Sequence, residues 1–142
     1  MQINIETDYA IRCMLYMGGH EGYSPSALIS REMVIPKEHI QKILRKLMDA
    51  GLVISQRGQD GGYKPSRPVH DIKVLDVISC MEETIKINRC LEKDGFCNRK
   101  ATISCPMHKY YNGVQNILEQ VFQNTSIKDI LDGKATGFSS LG

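Results

Sequence analysis

Residues 35–68 read IPKEHIQKILRKLMDAGLVISQRGQDGGYKPSRP, two elements of different period with no linker between them. In the first half Ile40, Ile43, Leu44 and Leu47 recur at three- and four-residue spacing, which is one face of a helix. Pro36 suits the first turn, where its missing N–H would have found no partner. Gly51 stands just past the end, where a left-handed cap is wanted. The second half changes period. LVIS (52–55) is apolar and β-branched, RGQDGG (57–62) is a turn cluster, and YKPSRP (63–68) returns as a second strand. Pro65 cannot donate to a ladder, so the returning strand belongs at an edge.

The polar side of that helix carries Lys37, Glu38, His39, Gln41, Lys42, Arg45 and Lys46, and the hairpin adds Arg57, Gln59, Lys64 and Arg67. A basic helix with a basic hairpin directly behind it is the arrangement of a winged helix-turn-helix, a mostly α fold. Glutamine can bond adenine bidentately, whereas lysine and arginine favour guanine or phosphate. A cationic hairpin tip suits phosphate or the minor groove.

Working outward, YSPSALISREMV (23–34) predicts the short preceding helix, with Ser24 as N-cap and Pro25 in its first turn. IETDYAIRCMLYMGG (5–19) predicts a first helix started at Glu6 or Thr7 and ended by Gly18 and Gly19. Downstream, DIKVLDVISCMEETI (71–85) predicts a helix with Ile72, Leu75, Ile78 and Met81 as its apolar stripe. A long helix is expected near 106–124, then a short one from Ser126, and the end of the chain has no periodicity. Tyr110, Tyr111, Val114, Ile117, Leu118, Val121 and Phe122 spread beyond one stripe of the long helix. A small three-helix core has little surface to cover them, so packing against a second copy is expected. A dimer is also what reading two half-sites of duplex requires.

The composition, 42% hydrophobic and 24% charged over 142 residues, is that of a globular chain. A net charge of +2 carries no information about partners; its distribution does. No window approaches the roughly 18 apolar residues of a membrane span, and MQINIETDYA has no signal-peptide pattern, so a cytoplasmic location and no membrane partner are expected. No nucleophile–base–orienter set or carboxylate pair is present, and the glycines of RGQDGGY sit in a hairpin rather than a nucleotide loop. Neither an enzyme nor a small-molecule substrate is expected.

CLEKDGFCNRKATISCPMH (90–108) holds three of the five cysteines and a histidine in a polar loop. Thiols in a reducing compartment read better as ligands or reactive groups than as disulfides. Six residues separate Cys90 from Cys97, seven separate Cys97 from Cys105, and His108 follows three residues on. Zinc sites favour close pairs and ferredoxin runs favour two-residue gaps, and neither is present. By spacing alone, metal or cluster ligation and unliganded loop thiols both stay open. Cys13 and Cys80 fall in apolar helical segments and read as core.

TDYAIRCMLYM, the run from Ile35 to Pro68 and IKVLDVISCME together resemble the Rrf-type bacterial regulators, the IscR-, NsrR- and CymR-like proteins. The likeness spans nearly the whole chain in element order, and departs at Pro65, where the family usually has an apolar residue. It implies a homodimeric winged-helix regulator, usually a repressor, acting on a double-stranded DNA operator. Carried over, Lys37, Glu38, His39, Gln41 and Lys42 would enter the major groove and Arg57 of the wing the minor groove. Cluster-binding members carry three cysteines in this loop, so the resemblance implies an iron–sulfur cluster, [2Fe-2S] or [4Fe-4S], on Cys90, Cys97 and Cys105. Its fourth ligand would be Asp8 of the partner subunit or, alternatively, His108. It would sense nitric oxide, redox state or iron–sulfur status. The alternatives are a cluster-free regulator of the same family controlled by a partner protein or thiol oxidation, and a zinc-stabilised interaction module. The expected layout is a DNA-binding domain over 1–84, with residues 1–20 also touching the partner, and a cluster loop over 85–108. The dimerisation and terminal helices take 106–132, and a flexible tail 133–142.

Overall fold

A computed structural model describes residues 2–134; the expected tail lies outside them from residue 135 onward. The elements are α1 (Ile5–Gly18), α2 (Ser26–Glu32), α3 (Lys37–Asp49), β1 (Val53–Gln56), β2 (Gly62–Pro65), α4 (Val74–Met81), α5 (Pro106–Asn124) and α6 (Ile127–Leu131). This is the winged helix-turn-helix expected from residues 35–68, with one long helix following it.

The core forms where α1, α2 and α3 meet. α3 contributes Ile40, Ile43, Leu44 and Leu47, the four residues its periodicity singles out, and all are buried. They pack with Ala10, Cys13, Met14 and Met17 of α1, Ile29 of α2, Leu52 and Val53 at the base of the hairpin, and Ile72, Val77 and Ile127. Burying each large side chain is worth ~1.5–3 kcal/mol, so this cluster is what seats α3. The α3 C-terminus closes as expected, with Gly51 at φ +75° and its N–H on the Met48 carbonyl.

β1 and β2 are antiparallel, with Val53 opposite Pro65 and Gln56 opposite Gly62. Pro65 is the last residue of β2, where a missing donor costs little. The hairpin is fastened to the start of α2. Ser24 and Tyr63 exchange both backbone hydrogen bonds at 2.8 Å. Gly62 makes that approach possible. It has φ +142°, and a Cβ there would lie 2.3 Å from the Ser24 carbonyl oxygen.

Three expected details differ. Ser24 is extended, because its backbone is committed to Tyr63, so α2 begins at Ser26 with Pro25 as its cap. α1 begins at Ile5 rather than at Glu6 or Thr7, because the Asn4 side chain accepts the Glu6 N–H at 2.9 Å. α4 is shorter than 71–85 and buries Val74, Val77 and Ile78; Ile72 is buried ahead of it, while Leu75 and Met81 are half-buried. The Lys73 N–H donates to Asp76 Oδ2 at 2.8 Å, which fixes the start of α4 two residues after Ile72 and rotates its stripe.

α5 has two apolar stripes. Tyr111, Leu118 and Phe122 lie toward the molecule, Leu118 and Phe122 sharing a small cavity with Ile3, Ile78 and Ile85. Met107, Tyr110, Val114 and Ile117, at heptad-like spacing, are exposed, Tyr110 by 64% and Ile117 by 47%. α6 is capped by Ser126, whose hydroxyl accepts the Asp129 N–H while Asp129 accepts the Ser126 N–H.

Candidate functional site

The polar side of α3 is divided by its neighbours. Lys37, Glu38, Gln41 and Lys42 are exposed, and His39 is half-buried. Gln41 leans toward the wing: its Nε2 donates to Ser26 Oγ at 3.0 Å and its Oε1 accepts the Tyr63 hydroxyl at 3.4 Å. On the other flank, Glu6 of α1 takes Lys42 Nζ at 3.1 Å and His39 Nδ1 at 3.3 Å. Lys42, foremost among the neighbours, holds the Glu6 carboxyl below the ordinary range against partial burial. Arg57 is exposed at the hairpin tip, and Lys64 on β2 lies 4.7 Å from the centre of the Tyr23 ring. Five of the six candidate residues therefore share α3, and Arg57 stands on the adjoining hairpin. Glu6, Ser26 and Tyr63, which hold His39, Lys42 and Gln41, carry no signal in the sequence, because their partners are 33 or more, 15 and 22 residues distant.

The turn between α2 and α3 is braced from α1. Arg12 Nη1 donates to the Met33 carbonyl at 3.2 Å, and Asp8 holds Arg12 through an ion pair of 2.7 Å. The next residue, Val34, has φ +54° and is exposed.

The cysteine loop folds over the start of α5. Cys90, Cys97, Cys105 and His108 all line one cleft of about 330 Å³, with Phe96, Thr102, Met107 and Tyr111 among the other walls. Cys105 is the residue before Pro106, and His108 lies in the first turn of α5, so both are fixed by the helix itself. Arg89 and Asp94 form a bidentate pair, and the Arg89 guanidinium lies 5.4 Å from the centre of the Phe96 ring. That pairing draws the Asp94 carboxyl down to about 2. Thr102 Oγ1 donates to the Gly95 carbonyl at 2.7 Å, closing the loop on itself. Cys97 sits in a tight turn in which Lys100 takes φ +54° and returns its N–H to the Cys97 carbonyl at 2.9 Å. The Ala101 N–H, and after it that of Arg99, hold the Cys97 thiol below its ordinary value, opposed by partial burial and aided by the Thr102 hydroxyl and the Arg99 charge. Backbone donors aimed at sulfur favour thiolate, the form that binds metals.

The donor chemistry of this cleft fits a soft metal centre: three thiols and an imidazole. One further feature points the same way. Among the described residues, His108 Nδ1 is the buried side-chain nitrogen or oxygen with no hydrogen-bond partner. Such an atom ordinarily costs about 1–3 kcal/mol unless something bonds to it. Among the described residues, no three His, Cys, Asp or Glu side chains converge closely enough to hold a metal ion as they stand.

Cys13 is buried in the core, as expected, whereas Cys80 is half-buried against it. Burial pushes Cys13 up to about 12, and burial likewise raises Cys80, with Lys46 opposing it.

Behind the loop, a buried side chain fixes the segment that leads into it. Gln115, 1% exposed on α5, accepts the Ile87 N–H at 2.9 Å and donates to the Ile85 carbonyl at 3.1 Å and to Glu119 at 2.8 Å. Lys86 closes the group on Glu119 at 2.6 Å. The sequence gives no sign of this, since Gln115 reads as one more polar residue between apolar ones.

No helix among the described residues is long and apolar enough to cross a membrane. A family profile described as "Rrf2: Iron-dependent Transcriptional regulator" matches residues 3–133. Protein aau3 of Rhizobium meliloti (strain 1021) is 28% identical over 135 residues, spanning 94% of this chain and 87% of that protein. The HTH-type transcriptional regulator IscR of Pectobacterium carotovorum subsp. carotovorum (strain PC1) is 27% identical over 136 residues, 94% and 81% of the two chains. Among solved structures, T. potens IscR matches with a TM-score of 0.72 at 24% identity, covering 94% of this chain and 88% of that one. CymR, the global cysteine regulator of B. subtilis, matches at 0.71 with 22% identity, covering 93% and 97%. At these identities the two structures speak to the fold.

Proposed function

This chain belongs to the Rrf2 family of transcriptional regulators and not to an enzyme family, and from that membership we propose a homodimeric, cytoplasmic repressor whose operator affinity is set by an iron–sulfur cluster. Cys90, Cys97 and Cys105 hold the cluster, and His108 is its fourth ligand. The observation that carries this reading is the shared cleft of three thiols and one imidazole whose buried Nδ1 lacks a partner. Asp8 of the partner subunit, the fourth ligand expected ahead of His108, is in this chain engaged by Arg12 at 2.7 Å.

A bound cluster supplies a centre that nitric oxide, oxygen or iron shortage alters or removes. The chain's own residues do the rest. Lys37, Glu38, His39, Gln41 and Lys42 present α3 to the major groove, and Arg57 extends the wing toward the adjacent minor groove. The exposed stripe Met107, Tyr110, Val114 and Ile117 packs against a second copy, which sets the spacing of two reading heads. Cys105 and His108 stand at the start of that same helix. Ligation there and dimer geometry therefore share one rigid element, and a change in the cleft shifts how two heads meet two half-sites.

The test is direct. Duplex fragments selected from genomic DNA by the anaerobic protein are titrated at fixed salt, before and after nitric oxide. The expected result is a change in affinity of about tenfold or more, roughly 1.4 kcal/mol. Unchanged affinity would refute control by the cluster and favour a cluster-free regulator.

A further inference from the structure

Two of the six side chains expected to read DNA share one carboxylate in the free protein. His39 and Lys42 both bond to Glu6, which comes from a different helix and is itself mostly sheltered, 21% exposed against 57% for Lys42. Lys46, one turn further along the same flank of α3, adds to the positive field on that carboxylate. Asn4 receives the Glu6 N–H, and Asn4 and Thr7 are both anchored on Glu82 at the end of α4, at 2.8 and 2.6 Å. Glu6 is therefore a fixed charge on a rigid mount, not a flexible surface partner.

We propose that Glu6 is a built-in counter-ion of the recognition helix, a positioning residue that suppresses sequence-independent binding and so sharpens the choice of operator. This rests on α3 being the helix that enters the groove. The physics follows from what DNA offers. Every sequence presents phosphates, and a free lysine that meets one releases a condensed counterion and gains affinity without selectivity. A lysine already paired with a fixed carboxylate gains less, because the carboxylate repels the incoming phosphate and stays in place. A base edge carries no net charge and meets less of that repulsion. Lys42 has three donors and gives one to Glu6, leaving two for guanine O6 and N7. His39 turns Nδ1 to Glu6, so Nε2 is not spent on that carboxylate.

The experiment uses the full-length dimer, a selected operator and a random-sequence duplex of equal length, titrated across a salt series. Glu6→Gln should raise affinity for the random duplex by about tenfold and steepen its salt dependence by roughly one unit of slope per reading head. Operator affinity should rise less, so the specificity ratio falls. Glu6→Asp, which keeps the charge, should stay near the wild-type slope, and Glu6→Gln should have little effect in a Lys42→Gln background. Random-duplex affinity and slope unchanged by Glu6→Gln, or both affinities lowered in proportion, would overturn the role of Glu6. A wild-type protein that binds neither duplex would overturn the reading of α3 itself.

Discussion

Val34 is the most informative single backbone position. A β-branched residue at φ +54° is sterically crowded, at a cost of order 1–2 kcal/mol, and this one is solvent-exposed in the turn of the helix-turn-helix. Its side chain gains little from burial to offset that cost. Val34→Asn, which tolerates the left-handed region, should raise stability by about 1 kcal/mol, read as a higher denaturant midpoint with unchanged slope. A loss of stability would mean the valine makes a contact that matters more than its strain. The strain was invisible in REMVIP, because nothing local marks Val34 as left-handed. Two contacts hold it so: Arg12, from α1, on the Met33 carbonyl, and the nearby buried Ser30 hydroxyl on the Ile35 carbonyl at 2.6 Å.

At the level of elements, α3 and the hairpin were the most legible. The period of Ile40, Ile43, Leu44 and Leu47 and the switch at Gly51 decide both, and each rests on residues adjacent in sequence. α4 was less so. Ile72 is buried ahead of the helix, and the Asp76 cap moves the inward face to Val74, Val77 and Ile78. Ser24 looked like an N-cap by type, but Tyr63 takes its backbone from 39 residues away. α5 carries both of its faces in its sequence, one closed by Leu118 and Phe122 and one left open by Met107, Tyr110, Val114 and Ile117. If the open face is the dimer contact, a charge in its middle must be desolvated to keep it. Ile117→Glu should then convert dimer to monomer in sedimentation, and weaken binding to a two-half-site duplex by about a hundredfold or more, since half of the contacts are lost. A variant that sediments as the wild type would place the subunit contact elsewhere.

For the molecule as a whole, the legible part is the reading head and the illegible part is what connects it to the cleft. Spacing of Cys90, Cys97 and Cys105 matched no metal pattern, and only the fold brings them to one wall with His108. The side chains paired across the chain are Glu6 to α3, Asp8 and Arg12 to the turn before it, and Gln115 to the segment 85–87. Apart from the i,i+4 pair of Asp8 and Arg12, each is a long-range contact for which a single sequence has no signature. Packing is continuous between the two ends, α5 against α4, α4 against α1 and α1 against α3. The account stands on the cleft being a cluster site. The measurement that tests it most directly is the visible spectrum of anaerobically purified protein, with iron and acid-labile sulfide quantified in the same sample, for the wild type, Cys97→Ala and His108→Ala. The account predicts a coloured wild type with iron and sulfide in near-equal amounts, loss of both in Cys97→Ala, and a shifted or labile spectrum in His108→Ala. A wild type that stays colourless and free of iron and sulfide after anaerobic reconstitution would contradict it.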